Sequence, residues 1–160
     1  MTVLRTLLTG WPVALEMASS VPASPEVVWD LITDWEHLDD WMLEAEDFVI
    51  TSPQRRGLGV EGEATITIAG FRTRDRIRVV GWDEPRYLAI EHRGWVGGVG
   101  EMHLTPSGRG TTFFTWREEL RPPLGGLGGL GLTILKPVMH RIFRRDVRIL
   151  VSLARARATR

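Results

Sequence analysis

Two hydrophobic periods divide this chain, and their order leaves few folds open. Between Glu61 and Leu120 apolar side chains recur at every second position, as in Ala64-x-Ile66-x-Ile68 and Ile77-x-Val79. From Leu132 to Ala154 they recur every third or fourth position, through Leu135, Met139, Ile142, Phe143, Val147, Leu150, Val151 and Ala154. The first period belongs to strands with one buried face and the second to an amphipathic helix. A run of hairpins followed by one long helix buries both apolar faces by laying the helix on the sheet, a two-layer α+β arrangement.

The rest of the chain fits that plan. Val13 to Val21 reads as a first strand. Ser24 is a natural N-cap and Pro25 suits a first helical position, so a short helix follows, with Val28, Leu31 and Ile32 as its apolar stripe. A second short helix is expected over Glu36 to Met42, flanked by Trp35. Strands are expected at Phe48–Ile50, Glu61–Ala69, Thr73–Trp82, Tyr87–Trp95, Gly100–Thr105 and Thr111–Leu120. Gly70, Asp83–Arg86, Val96–Val99 and Pro106–Gly110 carry turn chemistry. Pro122-Pro123 stops the sheet, and Gly125 to Gly131 reads as a loop or a frayed helix start. Pro137 lacks an amide donor, so the regular helix is expected to begin near it. Residues 1–12 read as an extension and 13–160 as one domain.

Composition excludes several classes of protein. There is no cysteine, hence no disulfide framework and no thiolate metal site. No apolar run reaches the ~18 residues of a membrane-spanning helix, and Met1–Pro12 lacks the features of a secretory signal. A cytoplasmic location is therefore expected. His37, His92, His103 and His140 are scattered without metal-ligand spacing, so neither a metal nor a cofactor is expected. The glycine tract lacks the ending of a phosphate loop. No nucleophile elbow is present.

Net charge is zero but unevenly placed. No Lys or Arg lies between Arg5 and Arg55, whereas Lys136 to Arg160 holds eight basic residues and one acid, Asp146. A basic helix can bind a membrane surface or nucleic acid. The plainer reading is that acidic and basic surfaces of one fold complement each other, and no nucleic acid partner is expected.

Val21-Pro22-Ala23-Ser24-Pro25-Glu26-Val27-Val28-Trp29, Asp34 through Trp41, Asp83-Glu84-Pro85-Arg86-Tyr87-Leu88, Gly110-Thr111-Thr112 running to Trp116, and the Leu- and Arg-rich terminal helix carry a resemblance. Together they resemble the START and birch-pollen-allergen (SRPBCC) superfamily, in its bacterial polyketide cyclase/dehydrase and lipid-transport-like branch. The resemblance implies a helix-grip fold: a curved antiparallel sheet of about seven strands wrapped on a long C-terminal helix. It also implies a cavity for a lipid-, polyketide- or aromatic-like ligand. Members include cyclases, carriers and receptors, and a fold does not choose among them.

Alternation assigns the cavity wall. A simple turn at Asp83–Arg86 puts Ile77 and Val79 on one face with Leu88, Ile90 and His92, and the turn at Gly70 adds Ala64, Ile66, Ile68, Thr73 and Asp75. Met102, Leu104, Thr112, Phe114, Trp116 and Glu118 join them if the later loops are odd in length or bulged. Even loops would turn Glu101 and His103 inward instead. Trp82 and Trp95 fall on the outer face or in loops. The expected ligand-facing set is Trp35, Trp41, Ile66, Asp75, Ile77, Ile90, His92, Met102, Phe114 and Trp116, closed by Leu135, Met139, Ile142 and Phe143. Trp35 and Trp41 are expected at the cavity mouth, though either can instead pack beneath a loop.

Asp75 and His92 fall on adjacent strands, so the carboxylate can orient the imidazole. Such a pair can serve a cyclase or dehydratase as acid or base; it can equally be a solvated pair at the rim of the sheet. Three readings follow: binding or carriage of an apolar small molecule, a cyclase or dehydratase using Asp75 and His92, or surface binding through the basic helix. A homodimer is compatible with any of them.

Overall fold

The computed structural model describes residues 11–159. The extension expected over residues 1–12 lies almost wholly outside the described residues. Strand β1 (Val13–Val21) leads into helix α1 (Pro25–Ile32) and a 3-10 helix (Trp35–Asp40). Six strands follow: β2 (Ala45–Ile50), β3 (Glu61–Ile68), β4 (Phe71–Asp83), β5 (Tyr87–Arg93), β6 (Gly97–Pro106) and β7 (Thr112–Arg121). Helix α2 (Gly125–Ala158) completes the order.

The strands form one antiparallel sheet in the order β1-β7-β6-β5-β4-β3-β2. Six of them meander by hairpins, while α1 and the 3-10 helix carry the chain from one edge strand to the other. Helix α2 packs on β1 and α1. This is the two-layer α+β arrangement that the two hydrophobic periods imply, and the helix-grip fold that the resemblance implies.

Register settles which residues face inward. The β5–β6 and β6–β7 loops are both odd, because Arg93 pairs with Gly97 and Pro106 with Thr112. Met102 therefore lies opposite both Leu88 and Trp116, on the inner face. Glu101 and His103 point outward, and Tyr87 on that outer side donates its hydroxyl to Glu101 at 2.6 Å.

One strand departs from simple alternation. In β4 the pairing runs Val79 to Ile90 and then Gly81 to Ala89, so Val80 is a bulge. One extra residue flips every later side chain to the other face. Trp82, expected outside, consequently lies opposite Leu88 and packs edge-on against Trp29, ring centres 4.9 Å apart.

Helix α2 also starts earlier than the sequence suggests. It runs unbroken from Gly125 through Pro137. The glycines make the early turns possible by close approach: a Cβ on Gly128 would strike the Pro123 carbonyl, and one on Gly129 would strike Trp11. Pro137 is exposed and leaves one helical carbonyl without its amide donor. Pro137→Ala is thus expected to raise stability by about 1–2 kcal/mol. Urea denaturation measures this, and no gain would mean that the helix is not continuous there.

The core gathers Trp29, Trp41, Trp116, Phe114, Leu15, Leu88 and Leu150, all essentially without exposure. Ser24 precedes α1 as expected but makes no side-chain cap hydrogen bond. The uneven charge resolves in part into contacts between the acidic and basic segments. Arg145 pairs with Glu44, and Arg157 lies 3.7 Å from Asp34. Among the described residues no helix is long and apolar enough to cross a membrane.

Candidate functional site

The curvature of the sheet holds α2 off its outer strands, and a cavity of about 350 Å³ lies between them. Ile66, Ile68, Phe71 and Thr73 of the β3–β4 hairpin form one side, and Leu132, Leu135, Met139 and Phe143 of α2 form the other. Trp116 closes the floor and stacks on Phe143 with ring centres 4.9 Å apart. At the mouth Phe71, Trp95 and Leu124 are each about two-thirds exposed or more (67%, 63% and 75%).

Within this apolar wall lies one polar corner. His92 Nδ1 is 2.7 Å from Asp75 Oδ2 on the neighbouring strand. The other oxygen of Asp75 accepts the Gly94 amide at 3.1 Å. His92 Nε2 faces Glu118 Oε2 at 3.2 Å, but without the alignment of a hydrogen bond. Glu118 is held by Trp116, whose indole N–H donates to Oε1 at 2.7 Å.

His92 and Glu118 stand on β5 and β7, so they meet across the intervening β6. Glycine makes that meeting possible: a Cβ on Gly100 would collide with the Glu118 carboxylate. The absent side chain leaves a lane on the inner face through which the two polar groups approach.

Burial alone would pull the His92 pKa down, because a charged imidazolium is costly away from water. The charge of Glu118 opposes this, together with the hydrogen bond to Asp75 and the charge of Asp75. The balance pushes the pKa up to about 10. At neutral pH His92 is therefore an imidazolium between two carboxylates, a proton donor rather than a base.

A second polar cluster lies where the cavity meets α2. Glu44, just before β2, lines the cavity and pairs with Arg145 of α2. The same guanidinium binds Asp146 at 2.8 Å, and Asp146 has no exposure at all. Burial, then a hydrogen bond to the Asp146 carboxyl, pushes the Glu44 pKa up to about 7. Glu44 thus holds its proton to a higher pH than an ordinary carboxyl.

Of the side chains expected to face a ligand, Ile66, Asp75, His92, Trp116, Leu135, Met139 and Phe143 line the cavity. Trp35, Trp41, Ile77, Ile90, Met102, Phe114 and Ile142 do not. Trp35 is buried and stacks on Phe48 at 5.7 Å, and Trp41 meets Trp116 edge-on at 5.7 Å, so neither stands at the mouth. Met102 and Phe114 face inward but belong to the buried core and do not line the cavity. Trp95, expected in a loop, is at the mouth.

Glu44 and Asp146 were missed as site residues. Asp146 carried a signal, because it follows Phe143 by three and precedes Leu150 by four, placing an acid within the apolar stripe. Glu44 carried none. Among the described residues no cluster of His, Cys, Asp and Glu is arranged to hold a metal.

Comparisons with known proteins agree with this architecture. An uncharacterized protein of Mycobacterium tuberculosis is 29% identical over 121 residues, covering 76% of this chain and 74% of that protein. The Zhui aromatase/cyclase of a Streptomyces species superposes with a TM-score of 0.77 at 18% identity, covering 92% of this chain and 96% of that one. A START superfamily protein of Mycobacterium smegmatis gives a TM-score of 0.65 at 15% identity, covering 91% and 97%. At such identities the two structures show a shared fold. The family described as polyketide cyclase/dehydrase and lipid transport matches residues 12–155, nearly the whole chain, and this chain belongs to it.

Proposed function

We propose that the protein binds or carries an apolar small molecule, lipid-, polyketide- or aromatic-like, in the cavity between sheet and α2. One observation carries this reading: the 350 Å³ space is walled mostly by apolar side chains, with a few polar groups gathered at the Asp75–His92–Glu118 corner and at Glu44. That volume falls in the range of about 300–1,000 Å³ used by small-molecule sites, and a few convergent polar groups are what orient a ligand in them. Exposed apolar residues at the mouth are consistent with an entrance for an apolar guest.

The test is fluorescence of the neutral probe N-phenyl-1-naphthylamine, with native mass spectrometry of the purified protein. The wild type is expected to enhance and blue-shift the probe's emission. Leu135→Trp, which fills the cavity, is expected to weaken binding about tenfold or more, equivalent to at least about 1.4 kcal/mol. Absence of probe binding, together with absence of any co-purifying apolar molecule, would sink the reading.

A second reading, a cyclase or dehydratase, has support from the Asp75–His92–Glu118 contacts. The raised pKa of His92 reverses the role expected of it. The imidazolium would protonate or hydrogen-bond a developing oxyanion, while Glu118, with an unpaired oxygen, would accept the proton. Singly replacing His92 and Asp75 by Ala and following turnover of an aromatic polyketide analogue is the test. Turnover unchanged in both variants would rule out this chemistry.

A further inference from the structure

The charge of the polar corner restricts what the cavity can hold, and this inference rests on reading the cavity as a ligand site. Among the described residues, the ionisable side chains lining it are Glu44, Arg74, Asp75, His92 and Glu118. Arg74 is exposed and turned away, bonded to Glu63 at 2.9 Å. Arg145 stands behind Glu44 and is engaged by Glu44 and Asp146. No cation is left to meet a ligand except the imidazolium of His92, which is already placed between Asp75 and Glu118.

The excess of acidic groups does not depend on the proton of His92. Two carboxyl groups stand against one imidazole, so the ring's single charge is outnumbered in either of its states. The Trp116 indole donates to Oε1 of Glu118, so that carboxylate is held in place. Its Oε2 is buried and lacks an aligned donor among the described residues. The Glu118 side chain is only 6% exposed, so water can compensate it little. A second carboxylate brought to this position would meet like charge at short range in a poorly screened site. A head without negative charge meets no such repulsion, and one that donates is drawn to the acidic corner.

We infer that the corner is an acceptor site. It selects amphiphiles whose polar head donates a hydrogen bond and carries no negative charge, such as an alcohol, a phenol or an alkylammonium, over carboxylates with the same tail. The protein is accordingly no carrier of free fatty acids, although its apolar wall would suit their chains.

The experiment is displacement of N-phenyl-1-naphthylamine near neutral pH by decan-1-ol, decylammonium and decanoate, each below its micellar concentration. The alcohol and the ammonium are expected to displace the probe at concentrations about tenfold or more below that of decanoate. Glu118→Gln removes one negative charge and keeps the Trp116 contact, so it is expected to narrow the gap between decylammonium and decanoate by about tenfold. Decanoate competing as well as decan-1-ol on the wild type overturns the inference, whatever the variant's folding. A gap unchanged in folded Glu118→Gln overturns the role of that residue. If neither the probe nor any decyl compound binds, the ligand-site reading fails as a whole, an outcome distinct from binding without selectivity.

Discussion

Trp116→Ala is expected to cost about 3–5 kcal/mol, the largest loss for any single truncation considered. Trp116 is 1% exposed and joins three parts of the molecule. Its ring stacks on Phe143 of α2, meets Trp41 edge-on, and donates from Nε1 to Glu118. Truncation removes apolar burial, opens a hole, and strips a buried carboxylate of its donor. Since domains of this size hold only about 5–15 kcal/mol in total, much of the stability goes with it. Trp116→Phe separates the effects: it keeps most of the packing and loses the N–H, so a cost of about 1–3 kcal/mol is expected. Urea denaturation of both variants measures this. Equal losses in the two would mean that the hydrogen bond, not the ring, dominates.

Arg145→Ala is expected to destabilise by about 2–3 kcal/mol near pH 8 and by clearly less near pH 5. Breaking a fully buried ion pair costs about 3–5 kcal/mol, and the half-exposed guanidinium lowers that figure. The pH dependence follows from the acids left behind. Glu44 has a folded pKa raised from 4.5 to about 7, mainly by burial and by its bond to Asp146. A raised acid binds its proton more tightly folded than unfolded. Its contribution is thus fully present below about pH 4.5 and is lost as pH rises through about 7. Without Arg145 the deprotonated pair loses its counter-ion, so the penalty grows over that same window. His92 titrates in the same direction but higher, with its contribution present below about 6.5 and lost as pH rises through about 10. Glu44→Gln should flatten the lower window and leave the upper one. Thermal melts of the three proteins between about pH 5 and 8 decide it. A pH-independent cost of Arg145→Ala would mean that Glu44 does not titrate in this window.

How much of this was legible in the sequence depends on how far apart the cooperating residues lie. β1 was readable to the residue, since alternation is a local property of nine consecutive positions. Asp75 and His92 were paired in advance because one short hairpin fixes their register. Trp82 was misplaced because nothing local announces the bulge at Val80. Pro137 was read as the place where the regular helix begins because local chemistry says so, yet the helix starts at Gly125 and runs through it.

The sequence by itself determined a two-layer sheet and helix, the order of its elements, and most inward-facing positions. Those follow from the periods of the two hydrophobic patterns, while the curved grip was implied by the family resemblance of its motifs. Only the tertiary structure decided which inward residues touch the cavity and which are core. Alternation assigns a face but not the distance to the opposing layer. That distance closes over Met102 and Phe114, which are core, and opens over Ile66 and Thr73, which line the cavity. Tertiary structure alone also joined Glu44 to Arg145, 101 positions away, and His92 to Glu118 across a glycine. Charges that far apart in the chain reveal their partners only when the sheet's curvature brings them together out of water.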